Sequence, residues 1–134
     1  MKYFTIKELC QSETAESLGI DNTPTEEVKE NLTFFTEKIL DPLRKSWGSA
    51  IIVNSGYRCP ELNKAVGGSE TSVHPLGWGV DLWPKNGKIE EFKKHVIDQL
   101  PTVIKITGNN IKEIISIELN PSGEFVLTKN PSPL

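Results

Sequence analysis

The feature that most constrains the fold is an apolar repeat in the first third of the chain, with steps of three or four residues. Its members are Val28, Leu32, Phe35, Ile39, Leu43 and Trp47. This spacing puts them on one face of a helix, so the segment predicts a long amphipathic helix with one buried face. Thr25 is the expected N-cap, Pro42 should kink the helix or split off its last turn, and Gly48 should end it.

Shorter patterns predict the remaining elements. A capping box at Thr5 and Glu8 predicts a helix over 6–11, followed by a loop through 19–22. Strands are expected at 51–53 and 79–83, a turn of helix at 61–65 within an ordered loop, and an amphipathic helix from Ile89 to Leu100 before Pro101. The last third predicts strands at about 103–107, 114–119 and 124–129, the last two as a hairpin.

Helices followed by mainly antiparallel strands predict an α+β fold. The length of 134 residues suits one domain, which we expect over 1–130, with a tail at 131–134. The net charge of −3 and the scattered basic residues argue against a nucleic-acid partner. No apolar run is long enough for a signal peptide or membrane span, so we expect no membrane partner and a cytoplasmic protein as synthesised.

Two cysteines, Cys10 and Cys59, are too few for a disulfide scaffold. We expect reduced, partly buried thiols, and a single bridge between them is the alternative for an exported protein. No heptad or long apolar edge is present, so we expect a monomer.

The segment 72–81, Ser-Val-His-Pro-Leu-Gly-Trp-Gly-Val-Asp, carries the clearest chemistry. His74 and Asp81 can converge on one ion if the chain turns at Gly77 and Asp81 projects from the next strand. An imidazole nitrogen and a carboxylate oxygen are both zinc ligands. Spacing alone also fits a polar pair without metal, so both interpretations stand on the residues themselves.

Four blocks of sequence together resemble one known family. They are 41–44, 53–60, 62–68 and 72–81, and the last fits Ser-x-His-x-x-Gly-x-Ala-x-Asp except that Gly79 stands where Ala is usual. Over roughly residues 3–83 the chain resembles the zinc D-alanyl-D-alanine carboxypeptidases and their phage endolysin relatives. The resemblance implies a hedgehog/DD-peptidase-like fold, with N-terminal helices packed on a small sheet, and activity on peptidoglycan stem peptides.

The resemblance also implies roles for single residues. His74 and Asp81 match two zinc ligands, Arg58 matches the arginine that holds the substrate carboxylate or polarises its carbonyl, and Ser72 matches a serine that lines the substrate site. Without the resemblance, Arg58 is equally a surface ion-pair donor and Ser72 a loop hydroxyl.

A third zinc ligand, a histidine on a late strand, is implied but absent, together with an acidic general base three residues before it. If Glu124 is that base, Leu127 stands at the ligand position. If Thr128 matches a serine that often follows the histidine, Val126 stands there instead. Neither aliphatic side chain binds zinc, so the alternatives are His95 in the last predicted helix, or Glu118 or Glu124.

Two classes of function follow. The first is a zinc peptidase, either a carboxypeptidase or a prophage endolysin released by a separate membrane pore. The second is an inactive member that binds cell-wall peptide or another protein, and a decaying prophage gene is a third possibility. Nearby, we expect Trp78 to be exposed and Trp83 to be buried.

Overall fold

A computed structural model describes residues 1–99, 104–107, 115–119 and 125–129, and the side chains of residues 1–96, 98 and 99. The helices are α1 (Ile6–Cys10), α2 (Glu13–Leu18), α3 (Glu26–Phe35), α4 (Asp41–Trp47), α5 (Pro60–Ala65) and α6 (Ile89–Gln99). The strands are β1 (Ile51–Ser55), β2 (Gly79–Pro84), β3 (Ile104–Thr107), β4 (Ile115–Leu119) and β5 (Phe125–Lys129). These elements confirm the predicted α+β fold. The expected tail at 131–134 lies outside the described residues.

The predicted long helix is present but is interrupted by a π-helical turn, Thr36–Leu40, between α3 and α4. Proline has no N–H to donate, and Pro42 falls in the first turn of α4, where that donor is not needed. The wider turn just before it keeps the apolar face continuous, since Phe35, Ile39 and Leu43 are all buried. Gly48 ends α4 with φ of 77°, as predicted.

The sheet has the strand order β1-β2-β4-β5-β3. Neighbouring strands are antiparallel except for β3 and β5, which are parallel. Strand β2 lies between β1 and β4, and all but one of its residues are buried. Val80 and Leu82 point to the core, together with Phe35, Leu40 and Phe92. Alternate residues of a strand point to opposite faces, so Gly79 and Asp81 belong to the other face of β2.

Besides the π-helical turn, two elements were not predicted from the sequence. The first is α2, which Ser12 caps by accepting a hydrogen bond from the Ala15 N–H at 3.1 Å. The second is a 3₁₀ turn over His74–Leu76, inside the segment expected to be an ordered loop. It ends at Gly77, where φ of 81° is a left-handed conformation that suits glycine. A turn at Gly77 is the condition under which His74 and Asp81 were expected to converge, and the structure meets it.

The cysteines agree with expectation, since Cys10 and Cys59 are both free thiols and half-buried. Burial raises the pKa of the Cys10 thiol to about 11, against a weaker opposing effect of Lys29. No helix in the described part of the chain is both long and apolar enough to cross a membrane.

Candidate metal centre

His74 and Asp81 lie close together because the chain reverses direction between the short turn and the strand that carry them. The 3₁₀ turn carries His74, and the chain reverses at Gly77 and enters β2, which carries Asp81. The Nε2 atom of His74 lies 3.8 Å from Oδ1 of Asp81, and both side chains are almost fully buried. The structure therefore brings together the two residues that the motif singled out.

The other ring nitrogen fixes the tautomer of His74. Its Nδ1 atom lies 2.7 Å from the backbone carbonyl oxygen of Gly56, which can only accept a hydrogen bond. Nδ1 must therefore carry the proton, which leaves the lone pair of a neutral ring on Nε2, facing Asp81. Metal-binding histidines are commonly oriented by such a hydrogen bond from the other ring nitrogen to a backbone carbonyl.

Burial keeps the His74 ring neutral. Burial has the largest effect on the pKa of His74 and lowers it below its ordinary value. The Arg58 guanidinium lowers this pKa further, whereas the Asp81 carboxylate and the hydrogen bond to the Gly56 carbonyl raise it. The net direction is downward. A neutral imidazole is the form that binds a metal ion.

The Gly56 loop is held against the first helix. Tyr57 donates its N–H to the carbonyl of Leu9 at 2.8 Å. A side chain at position 56 would overlap the backbone oxygen of Leu9, so only glycine allows this approach. The helix α1 thereby positions the carbonyl that orients His74.

Arg58 and Ser72 both contact the backbone of His74. The Arg58 N–H donates to the His74 carbonyl at 3.5 Å, and its side chain is buried. Ser72 Oγ accepts a hydrogen bond from the His74 N–H at 3.1 Å. The alternative in which Arg58 is an exposed ion-pair donor is therefore wrong. Ser72 supports the turn that carries His74, while its expected part in lining a substrate site stays a prediction.

Sequence reasoning missed two asparagines that hold these loops. The amide of Asn22 donates to the carbonyls of Cys10 and Tyr57 at 2.9 and 3.0 Å, and its oxygen accepts from the Cys59 N–H at 2.7 Å. These contacts fasten the backbone on both sides of Arg58. Asn31 donates to the carbonyl of Leu76 at 2.8 Å and ties the 3₁₀ turn to α3. No local pattern marked either residue, since their partners are distant in sequence.

His95 is engaged elsewhere and does not complete the centre. Its Nε2 atom lies 2.7 Å from Ser46 Oγ, and its ring packs 5.5 Å from the ring of Trp47. The ring is half-buried between α6 and α4. The predictions for the tryptophans are wrong, because Trp78 and Trp83 are both half-buried. Trp78 packs edge-on to Phe34, with ring centroids 6.0 Å apart.

The late strands are placed by their backbone register. Asp81 of β2 pairs with Ser116 of β4, and Ser116 pairs with Thr128 of β5. Directly paired residues share a face, so the next residues on this face are Glu118 and Val126. Leu127 pairs with Ile117 and belongs to the opposite face with Val80. Of the two positions considered for a third ligand, Val126 shares the face of Asp81, and it has no donor atom. Glu124 lies outside the described residues.

The donor set suits zinc as far as it is described. Nitrogen and oxygen ligands at their usual distances from a tetrahedral zinc ion lie roughly 3.3 Å apart. The observed 3.8 Å is close to that value and too long for a hydrogen bond. Among the side chains that the structure describes, no group of three or more His, Cys, Asp or Glu could hold a metal ion. His74 and Asp81 are therefore two donors of the kind that a zinc centre needs, and the described side chains do not include a third.

Comparison with known proteins agrees with this geometry. The sequence matches the family described as Peptidase M15 over residues 2–110, a span that contains Arg58, Ser72, His74 and Asp81 and ends before β4. No curated protein and no solved structure matches the chain. Peptidases of this family are generally zinc-dependent, in keeping with the His74 and Asp81 pair. The match covers most of the chain, and the protein belongs to the M15 peptidase family.

Proposed function

We propose that this protein is a zinc-dependent peptidase that cleaves a D-alanyl-D-alanine type bond in peptidoglycan stem peptides. The observation that carries the proposal is the buried His74 and Asp81 pair, with Nδ1 of His74 held by the Gly56 carbonyl and Nε2 directed at the carboxylate. A neutral imidazole fixed in this tautomer beside a carboxylate matches two of the three protein ligands of a typical zinc peptidase.

A groove along the edge of the sheet supports a peptide substrate. A cavity of about 660 Å³ runs along the outer edge of β1, between that strand and the segment from α1 to α2, and Arg58 is among its lining residues. Strand β1 is at the edge of the sheet, so its outer backbone groups are available to an extended peptide. We assign the substrate's carboxylate or scissile carbonyl to Arg58, whose guanidinium suits such oxygens.

The proposed reaction is hydrolysis. Zinc bound at His74 and Asp81 would supply a Lewis acid for the scissile carbonyl and would lower the pKa of water towards about 7. Water adds to the carbonyl carbon, the C–N bond breaks, and the water proton passes through a carboxylate to the leaving amine. Glu124 is our proposed general base. Release to the cell wall by a phage-type lysis system is part of the same proposal.

The direct test is incubation of the zinc-loaded protein with a synthetic stem peptide that ends in D-Ala-D-Ala, with products followed by mass spectrometry. We expect release of D-alanine, or cleavage within a cross-linked dimer of the peptide if the protein is an endopeptidase. Asp81→Asn should abolish cleavage, and His95→Gln should leave it intact. A zinc-loaded wild-type protein that cleaves neither substrate would contradict the proposal.

A second candidate is an inactive member of the family that binds the same peptides. The observation that favours it is the aliphatic pair Val126 and Leu127 where the family would place a histidine. If the protein is such an inactive member, it should bind stem peptides without cleaving them. Arg58→Ala should weaken this binding at least about tenfold, which is the loss expected for one charged hydrogen bond. Calorimetric titration of the peptide into the protein separates this candidate from the first.

A further inference from the structure

Strand β1 has an outer edge that no other strand covers in the described part of the sheet. The Lys85 N–H donates to the Ala50 carbonyl at 3.0 Å, so these two residues form a hydrogen-bonded pair. Hydrogen-bonded and non-hydrogen-bonded pairs alternate along an antiparallel ladder, and Ile52 belongs to the next hydrogen-bonded pair. The N–H and C=O groups of Ile51 and Val53 therefore point away from β2, towards the groove that both residues line.

One end of this groove lies one strand away from the candidate metal centre. Ser55 lines the groove and pairs with Asp81 of β2. Beyond Ser55 the edge is closed against α1, because the Tyr57 N–H donates to the Leu9 carbonyl at 2.8 Å. Arg58 also lines the groove. A peptide held here with its scissile end at Arg58 therefore extends back along β1, towards the start of that strand.

The far end of the groove carries a cation. Lys85 lines the groove, is exposed, and has no ion-pair partner among the side chains that the structure describes. The strand from residue 50 to residue 55 spans about 17 Å, so the two ends are roughly three to five residues of extended peptide apart, allowing for the reach of both side chains. Glu8 and Glu13 line the facing wall and repel acidic groups that are not held by Lys85 or Arg58.

We propose that the groove binds its substrate as an added strand parallel to β1, and that Lys85 selects peptides with an acidic residue roughly three to five residues upstream of the group at Arg58. The inference deepens the proposed function, since it rests on a peptide whose scissile end lies at Arg58. The outer backbone of β1 supplies affinity for any extended peptide, and Lys85 is a specificity-determining residue.

The test of Lys85 is calorimetric titration of the full chain in chelator, so that the peptide is not cleaved. The probes are acetylated alanine peptides that end in D-Ala-D-Ala and carry one glutamate or one glutamine at a varied upstream position. The wild type should prefer glutamate about fivefold at three to five positions upstream, the upper end for an exposed ion pair. Lys85→Gln should remove this preference. Lys88→Gln should keep it, because Lys88 is equally exposed but lies outside the groove lining.

Strand addition has a second signature, which is measured on the peptide and needs no protein variant. The outward groups of Ile51 and Val53 are two residues apart, so they bond to alternate peptide N–H groups and leave the intervening ones unbonded. Single N-methylation along the peptide should therefore weaken binding about fivefold at alternate positions, the loss expected for one hydrogen bond. Methylation at the intervening positions should leave the affinity close to that of the unmodified peptide.

Four outcomes would overturn the inference. They are no binding of any peptide, equal binding of glutamate and glutamine peptides by the wild type, an unchanged preference in a folded Lys85→Gln variant, and N-methyl effects that do not alternate. The proposed function fails separately. Both signatures without cleavage by the zinc-loaded wild type would leave the groove standing and remove the peptidase, whereas cleavage without either signature would do the reverse.

Discussion

His74 depends on being neutral, because its ring is buried and its only proton is used at Nδ1 to bond the Gly56 carbonyl. Its pKa is lowered, chiefly by burial, from the ordinary value of 6.5. As pH falls, the unfolded chain therefore binds a proton before the folded protein does. The free energy of unfolding is then at its full value above about pH 6.5 and decreases below it, until the folded pKa is reached.

We predict that the free energy of unfolding of the metal-free wild type decreases between about pH 7.5 and pH 5.5. In the His74→Gln variant this decrease should be smaller. Urea denaturation in the presence of a chelator measures it at both pH values. A wild type and a His74→Gln variant with the same pH dependence would show that His74 is not the group responsible.

Asn22 is the residue that we expect to matter most among those that sequence reasoning missed. Its side chain makes three hydrogen bonds to the backbones of Cys10, Tyr57 and Cys59. Asn22→Ala should lower the free energy of unfolding by about 2–4 kcal/mol. Each hydrogen bond contributes about 1 kcal/mol, and the backbone groups left without a partner belong to buried or half-buried residues.

The matched control for this change is Asn86→Ala, which removes one exposed hydrogen bond, from the Lys88 N–H. Surface changes of this kind stay within about 0.5 kcal/mol. Urea denaturation compares the two variants, and equal losses would mean that Asn22 does not fasten the Arg58 loop.

Single residues with distinctive chemistry could be predicted from the sequence. Residues whose role depends on partners distant in sequence could not. The His74 and Asp81 motif could be recognised because both residues fall within one short segment. Asn22 meets a partner 37 positions away, at Cys59, and nothing near it in sequence marks that contact.

Among the elements, the π-helical turn Thr36–Leu40 is the clearest departure from the sequence pattern. A π turn and an α-helix share the same apolar repeat, so the periodicity predicted the helix but not this widening. Pro42 predicted an interruption, and the interruption lies just before it. The helix α2 was missed because its sequence, Glu13–Leu18, is short and mostly polar, which leaves no amphipathic repeat.

Thr36 in this turn gives a prediction about stability. Its side chain is fully buried, and Oγ1 has no hydrogen-bond partner within the described part of the protein. Thr36→Val replaces this hydroxyl with a methyl group and should raise the free energy of unfolding by about 1 kcal/mol. Thr36→Ser keeps the hydroxyl, removes a buried methyl group and should lower it by about 1 kcal/mol.

The measurement is chemical denaturation of both variants beside Thr33→Val. Thr33 is half-buried and its hydroxyl donates to the sulfur of Met1 at 3.7 Å, so that change should be nearly neutral. A destabilised Thr36→Val would show that the Oγ1 atom is satisfied, for instance by a buried water.

For the whole molecule, the predicted strands are all present, but their order in the sheet was not predictable. Local patterns define a strand, whereas pairing depends on which strands meet after the chain collapses. The register matters most at Asp81, because it places β4 beside the candidate metal centre. The strand that lies next to this centre could not be identified from sequence for this reason.

Zinc bound at the candidate centre should stabilise the fold. His74 and Asp81 are close in sequence but belong to different elements, so the unfolded chain does not hold them in the geometry that binds a metal ion. At a zinc concentration 100 times the dissociation constant, linkage predicts a gain of about 2.7 kcal/mol in the free energy of unfolding. Differential scanning calorimetry with and without zinc measures it, and an unchanged Tm in the presence of bound zinc would contradict the linkage.

The most direct test of the account is the zinc stoichiometry of the purified protein, measured by elemental analysis and equilibrium titration on four proteins. These are the wild type, His74→Ala, Asp81→Ala and the matched histidine control His95→Ala. We predict one zinc per chain in the wild type and in His95→Ala, and a loss of affinity of at least about 100-fold in the other two. A wild type without zinc, or zinc that survives both His74→Ala and Asp81→Ala, would contradict it.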